Sequence, residues 1–433
     1  MIDFLFTKTP LAYFVQSLWR DEAFTYILTK ESILKILNLS AKDFTPPLHA
    51  LLLKFWIWVF GASEIALRSL SLIFYVLSAY LFYLFLTKIL KLKTIWKYLY
   101  LVLFLFNPML NYFAFESRTY SLLFLVSLAS FYFLLRKQYK FYFITLGIGL
   151  YTHYFMFLII ACQLIYILFT EKKPFNIFKK MTIPLLIFAP WILYVISQNK
   201  LINEPFWINS LSKESLKLIP AILYSGYESG YYYLNSTVSS LNLTIFLYIF
   251  AGLYLYIKGK IKNKKLFFVF LLWGFLPAFI SLAVSNYKPI FLARYLIIST
   301  IGVILYMVFI NEHLTRTIKY ILFGILLLQT FNYSMIQIEN RNKSPYKKIF
   351  SEIKNQSNKY DLVYVESELD YHVAKYYFDP KRVFIYNKNY KDIPNFVGKA
   401  LIPKDSIKLT IPKYPTKAFI LYSNLSYDIK TVF

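Results

Sequence analysis

Apolar residues in this chain gather in long, nearly uncharged stretches instead of alternating with polar ones, as in Ile65–Thr87, Leu266–Val284 and Tyr295–Ile310. A helix needs roughly 20 mostly apolar residues to cross a bilayer, so the pattern predicts a polytopic α-helical membrane protein. We read about ten spans: 65–87, 98–113, 119–135, 141–152, 154–170, 181–197, 241–257, 266–284, 295–311 and 319–336. The run Leu48–Phe60 is too short to cross and is expected to lie along the interface, with Trp56 and Trp58 at headgroup depth. After about residue 338 the pattern changes. Helix-like runs at Tyr346–Asn355 and Leu369–Phe378 interleave with strand-like Asp361–Glu366, Arg382–Tyr386 and Ala418–Ser423, which predicts a small α/β domain over 339–433. The transmembrane domain is thus expected over 1–338.

Composition agrees: 58% of residues are hydrophobic and 21% aromatic, against roughly 45–50% apolar in globular domains. The net charge of +26 would suggest nucleic acid in a soluble chain. Here the cations fall in short loops between apolar runs: Lys88/Lys91/Lys93/Lys97, Arg136/Lys137/Lys140, Lys172/Lys173/Lys179/Lys180, Lys258/Lys260/Lys262/Lys264/Lys265 and Arg316/Lys319. Such loops stay in the cytoplasm. The N-terminal segment, the remaining loops and the C-terminal domain are then extracytoplasmic. Asp3, Asp21, Glu22, Glu31, Asp43, Glu64, Glu116, Glu204, Glu214 and Glu228 fall on that side. Cys162 is the single cysteine, so there is no disulfide framework.

Several outward segments carry candidate chemistry. Adjacent Asp21 and Glu22 follow an apolar stretch at membrane-surface depth, where ionisable groups are costly and usually functional. They are also what the first turn of a solvated helix favours. On a helix they diverge by about 100°, so different jobs are expected of them. In Asp43-Phe44-Thr45-Pro46-Pro47-Leu48-His49 the prolines force an extended entry into the 48–60 helix, Asp43 is expected to cap it, and His49 faces the site or water. Glu116 and Arg118 either pair with each other, or Arg118 receives a phosphate through its bidentate donors. A snorkelling arginine is the bland alternative. His153, in Tyr151-Thr152-His153-Tyr154, fits a hydrogen-bonded structural histidine better than a catalyst. Phe206, Trp207 and the Tyr224–Tyr233 stretch suit membrane contact or sugar stacking, and interfacial anchoring fits them better. Lys288 and Arg294 open a span from the outer side, where cations run against the charge bias. No P-loop, HExxH, Cys/His metal cluster or GxGxxG after a strand is present.

These segments together resemble the glycosyltransferase C superfamily, specifically the glycosyltransferase family 39 type (protein O-mannosyltransferase-like, close to the aminoarabinose transferases of lipid A). The elements occur in family order: Asp21-Glu22, Pro46-Pro47-Leu48-His49, Phe60-Gly61, Ser63-Glu64 and Arg68, Glu116-Ser117-Arg118-x-Tyr120, Thr152-His153-Tyr154, Pro190-Trp191 and Arg294-Tyr295. One departure stands out. The family has a membrane helix before the Asp-Glu loop, whereas here twenty residues precede Asp21 and Lys8, Thr9 and Pro10 interrupt them. That first helix is expected to be missing, or the start to lie further upstream.

The resemblance implies a polyprenyl-phosphate sugar as donor, membrane lipid as surroundings, and a hydroxyl on protein, glycan or lipid as acceptor. It puts Asp21 in the position of the base, with inversion, and leaves Glu22 to orient the acceptor or brace the first loop. Arg118, Arg294 and Lys288 would hold the departing phosphate, with Glu116, His153 and His49 as further substrate-side candidates. No cofactor is implied; the wider superfamily admits a divalent metal, but no ligand cluster here argues for one. The main reading of another class is a transporter or lipid flippase, which would favour inverted repeats and broken helices at the midplane. Neither is visible in the sequence.

Overall fold

The structure is a computed structural model that describes residues 2–93, 95–198, 208 and 211–433. Glu204, Phe206 and Trp207 lie outside the described residues. The chain forms two compact units, one of Met1–Tyr13, Ser71–Leu193 and Leu201–Arg341, the other of Phe14–Leu70, Tyr194–Lys200 and Asn342–Phe433.

The first unit is a helix bundle. Among the described residues six helices are long and apolar enough to cross a membrane: Glu64–Ile89, Pro174–Gln198, Tyr232–Ile257, Lys264–Ser285, Ala293–Asn311 and Arg316–Asn340. Trp96–Leu105, Tyr120–Leu135 and Met156–Thr170 are shorter apolar helices. The expected span 98–113 is not one helix. Asn107 accepts a hydrogen bond from the Leu110 amide at 3.0 Å and Pro108 takes the first helical position, so a second helix, Pro108–Ala114, starts there. Hydropathy does not register that break, because both halves are apolar. The expected span 141–152 lies in the helix Tyr139–Thr152, which at about 1.5 Å per residue reaches only about 21 Å.

Every residue of Ile297–Asn311 is buried. This helix can be central because it meets Lys264–Ser285 backbone to backbone. A Cβ placed on Gly302 would lie 2.5 Å from the Gly274 nitrogen, and one on Gly274 would lie 3.0 Å from the Val303 nitrogen. Small residues permit such approach, and lipid supplies no hydrophobic drive to replace it. Trp273 locks the same contact: its indole N–H donates to the Ile298 carbonyl at 2.7 Å and its ring stacks on Phe131 at 4.0 Å. Polar groups inside the bundle are satisfied in chains. The Tyr142 hydroxyl donates to Gln163, which donates to Ser130. Asn311 donates to Tyr100, which donates to Glu312, and Lys319 pairs with that same carboxylate.

The second unit contains the C-terminal α/β fold. Its sheet has five strands in the order β3-β2-β1-β4-β5: β1 Leu362–Val365, β2 Val383–Tyr386, β3 Ile407–Lys408, β4 Ala418–Leu421 and β5 Tyr427–Lys430. All pairings are parallel except β4 with β5. The central strands read as short apolar runs, as parallel strands covered on both faces do.

The expected division near residue 338 grouped the first loop with the membrane part. The structure instead gathers Phe14–Leu70 with the C-terminal segment. Helix Arg20–Thr29 packs on helix Tyr371–Tyr377, and Ile27, Leu28, Ile36, Leu39 and Ala50 share a core with Leu401. Gly398, at φ +79°, lets the Phe24 ring pass where a Cβ would sit 2.4 Å from it. The 48–60 run is a helix, as expected. Asp43, however, does not cap it. Asp43 closes the preceding helix, Ile33–Lys42, and takes a hydrogen bond from Thr45.

The glycine contact generates a paired test. Gly302→Ala should lower the thermal midpoint of the detergent-solubilised protein, since overpacking costs about 1–3 kcal/mol. Gly324→Ala, with nothing within 4 Å of its new methyl, should leave the midpoint unchanged or raise it slightly, helix propensity favouring alanine by up to about 1 kcal/mol. Equal midpoints for the two variants would remove the glycine contact from the account of the bundle.

Candidate active site

The Asp-Glu pair opens helix Arg20–Thr29. Trp19 is extended, and its amide donates to Glu22 Oε2 at 2.8 Å, the reciprocal bond of a capping box. Asp21 and Glu22 diverge from that turn, as the sequence predicts. Glu22 is fully buried, whereas Asp21 is half-buried.

Both oxygens of Glu22 are engaged. Arg68 Nε donates to Oε1 and Nη2 to Oε2, each at 2.8 Å, and Lys343 Nζ reaches Oε2 at 2.8 Å. Arg68 is itself fully buried. Its remaining donors reach the carbonyls of Phe14 at 3.0 Å, Gln16 at 2.7 Å and Ser17 at 2.9 Å. One guanidinium thus fastens the strand of chain leading into the Asp21 helix. Burial by itself would raise the Glu22 pKa. The two cations outweigh it and hold the carboxyl well below the usual carboxylate range.

Arg20 repeats the device on the other side of Asp21. It pairs with Asp370 at 2.8 Å, and Asp370 also accepts from the Tyr346 hydroxyl at 2.6 Å. The Leu18 amide donates to the Tyr377 hydroxyl at 2.8 Å, and the same hydroxyl reaches Glu64 at 3.1 Å. The residues flanking Asp21, Leu18 to Glu22, are therefore held from several directions, while Asp21 itself, at the helix start, is half-buried. His49 belongs to this unit too, buried in the first turn of Leu48–Phe60.

The other candidates lie in the helix bundle, where four of the sequence motifs meet. Thr119 Oγ1 donates to the Thr152 carbonyl at 3.0 Å. The His153 ring packs 5.1 Å from Tyr295 and 6.4 Å from Tyr120, and Arg118 lies over the Tyr120 ring at 6.0 Å. The Trp191 indole N–H donates to the Tyr154 hydroxyl at 3.3 Å. The Arg118 amide donates to the Glu116 carbonyl at 2.7 Å, and Glu116 is buried. Arg294 is half-buried in a short helical turn, Ala293–Leu296, while Lys288 is exposed in the preceding loop. His153 Nδ1 accepts from the Phe155 amide at 3.1 Å, which puts the ring proton on Nε2. Burial, and then Arg118, push its pKa down to about 3, so the imidazole is neutral at pH 7.

Lys343, Asp370, Tyr346 and Tyr377 were not legible as partners of the Asp21 turn, because they lie more than 300 residues away and stand in no recognisable pattern with it. Arg68 was visible only as one element of the family order. Among the described residues, no three His, Cys, Asp or Glu side chains come together as a metal site would need.

No family model matches the chain, and no curated protein sequence matches it either. Two solved structures are similar in fold. One is ArnT from Cupriavidus metallidurans in the apo state, with a TM-score of 0.64 and 12% identity over 95% of this chain and 91% of that one. The other is the same protein bound to undecaprenyl phosphate, with a TM-score of 0.60 and 12% identity over 98% and 93%. The chain as a whole has the ArnT fold.

Proposed function

We propose that this protein is a membrane glycosyltransferase that moves a sugar from a polyprenyl-phosphate donor to an acceptor hydroxyl on the outer face of the membrane, with inversion. The observation that carries the proposal is the ArnT fold over nearly the whole chain, one of the two similar structures being bound to undecaprenyl phosphate. The family-order motifs and the spread of basic loops support it.

In this reading the Asp21 carboxylate takes the proton of the acceptor hydroxyl as its oxygen attacks the anomeric carbon. The bond from that carbon to the phosphate oxygen breaks, and the phosphate leaves with the electron pair. The carbon passes through an oxocarbenium-like state, as in glycoside hydrolysis. A lipid phosphate needs little protonation to depart; it needs cations around its growing charge, the work assigned to Arg118, Arg294 and Lys288. The step balances without a nucleotide cofactor. His153 contributes a neutral donor. Glu22 takes the bracing role, since its oxygens already carry Arg68, Lys343 and the Trp19 amide.

The two acids should therefore fail differently. Asp21→Asn should lower transfer of radiolabelled sugar from a panel of polyprenyl-phosphate sugars by at least the roughly 10²–10⁴-fold of a lost general base, with an unchanged thermal midpoint. Full transfer in that variant would overturn the assignment. Glu22→Gln should instead destabilise the protein by roughly 3–5 kcal/mol, the cost of stranding buried charge, seen as a lower midpoint and poorer folded yield.

Acid should reproduce the second effect. Because the folded Glu22 pKa lies below its ordinary value of 4.5, its contribution is complete above that pH and is lost as the pH falls through and below it. The wild-type midpoint should drop on acidification from pH 5, and that of Glu22→Gln should drop less. Parallel pH curves would show that Glu22 does not supply the dependence.

A further inference from the structure

Residues between Ser212 and Ser239, up to the first turns of helix Asn235–Ile257, line a groove of about 490 Å³, within the roughly 300–1,000 Å³ of small-molecule sites. Its chemistry is unusual for this chain. Lys and Arg outnumber Asp and Glu by 48 to 22 overall, yet among the described residues lining the groove there is no cation and Glu214 is the one charged side chain. Hydroxyls of Ser212, Ser229 and Ser239, the amide of Asn235 and the ring of Tyr232 make up much of the wall. No described side chain of the wall offers an anionic ligand a countercharge. A lipid tail would meet too many polar groups. A ligand rich in hydroxyls, with patches of C–H to lay on an aromatic face, fits both features.

The wall is also ordered from within. The Tyr227 hydroxyl donates to Asn235 Oδ1 at 2.6 Å, which fixes the amide and leaves its N–H₂ group as a donor. Ser212 caps helix Lys213–Lys217 by accepting from the Ser215 amide at 3.2 Å. Hydrogen bonds from its own backbone amide and from Ser212 hold the Glu214 carboxyl below its ordinary pKa, so it stays an acceptor at neutral pH. Gly230, at φ +120°, makes the turn that sets Tyr232 at the rim, 79% exposed. Tyr231 and Tyr233 pack edge to face at 5.8 Å on either side.

We propose that this groove binds neutral carbohydrate. The groove's affinity for sugar does not rest on the glycosyltransferase reading. Sugar C–H faces stack on Tyr232, and hydroxyls bond to Asn235, Glu214 and the serines.

The test uses the full chain in lipid nanodiscs and saturation-transfer NMR with three neutral probes: mannotriose, maltotriose and chitotriose. At least one should bind, and Tyr232→Ala and Glu214→Ala should each weaken it about tenfold or more. Tyr360→Ala, at an exposed tyrosine elsewhere (62% exposed), should not. Three results would each overturn the groove assignment: no binding of any probe to the wild type, binding unchanged in both groove variants, or a Tyr232→Ala effect confined to membrane partition, which would make that ring an interfacial anchor. Sugar transfer dependent on Asp21 is scored separately. Binding without transfer leaves the groove standing and removes the enzyme reading; transfer without binding does the reverse.

Discussion

A carboxylate with no exposure to water sits between two cations at the start of the Asp21 helix, and much of the second unit is arranged around that fact. Glu22, Arg68 and Lys343 would each be costly to bury alone. Together they satisfy one another, and the donors Arg68 has left tie down three carbonyls of the incoming chain. Such a network is a weak source of net stability, because desolvation offsets much of the attraction. Its value is geometric. It admits one arrangement of the turn, and that arrangement leaves Asp21 as the acid with accessible surface while its neighbour is consumed in structure.

The bundle solves a different problem by different means. Inside lipid, apolar contact between helices has little driving force of its own, so specificity comes from shape and from satisfied polar chains. Gly274 and Gly302 supply the shape, Trp273 fixes the register with its single N–H, and the Tyr100–Asn311–Glu312 and Tyr142–Gln163–Ser130 relays close the polar groups. The four motifs around His153 and Tyr120 lie at helix ends in the same unit, where side chains can be presented without breaking a backbone ladder.

What could be read from the sequence follows from the range of each signal. Apolar runs report burial locally, so the long helices and the central strands were visible. The break at Asn107 was not, since a side-chain cap competes with a run of hydrophobic residues and hydropathy counts only the latter. Strands Ile407–Lys408 and Tyr427–Lys430 are short and largely polar, because they are the edges of the sheet, and edges are kept that way. The divergence of Asp21 and Glu22 followed from helix geometry. The identity of what Glu22 binds did not, because Arg68 and Lys343 are brought to it by the fold and by no local pattern.

The packing of Phe24, Ile27 and Leu28 against Gly398 and Leu401 has a consequence in time. Phe24 and Gly398 stand 374 residues apart, with the long bundle helices between them in the chain. Loop closure over such a separation is among the last events in assembly. The turn bearing Asp21 is therefore synthesised well before the residues that complete its packing. Until Gly398 and Leu401 have been made, the nascent protein carries that acid without the packing that fastens its helix.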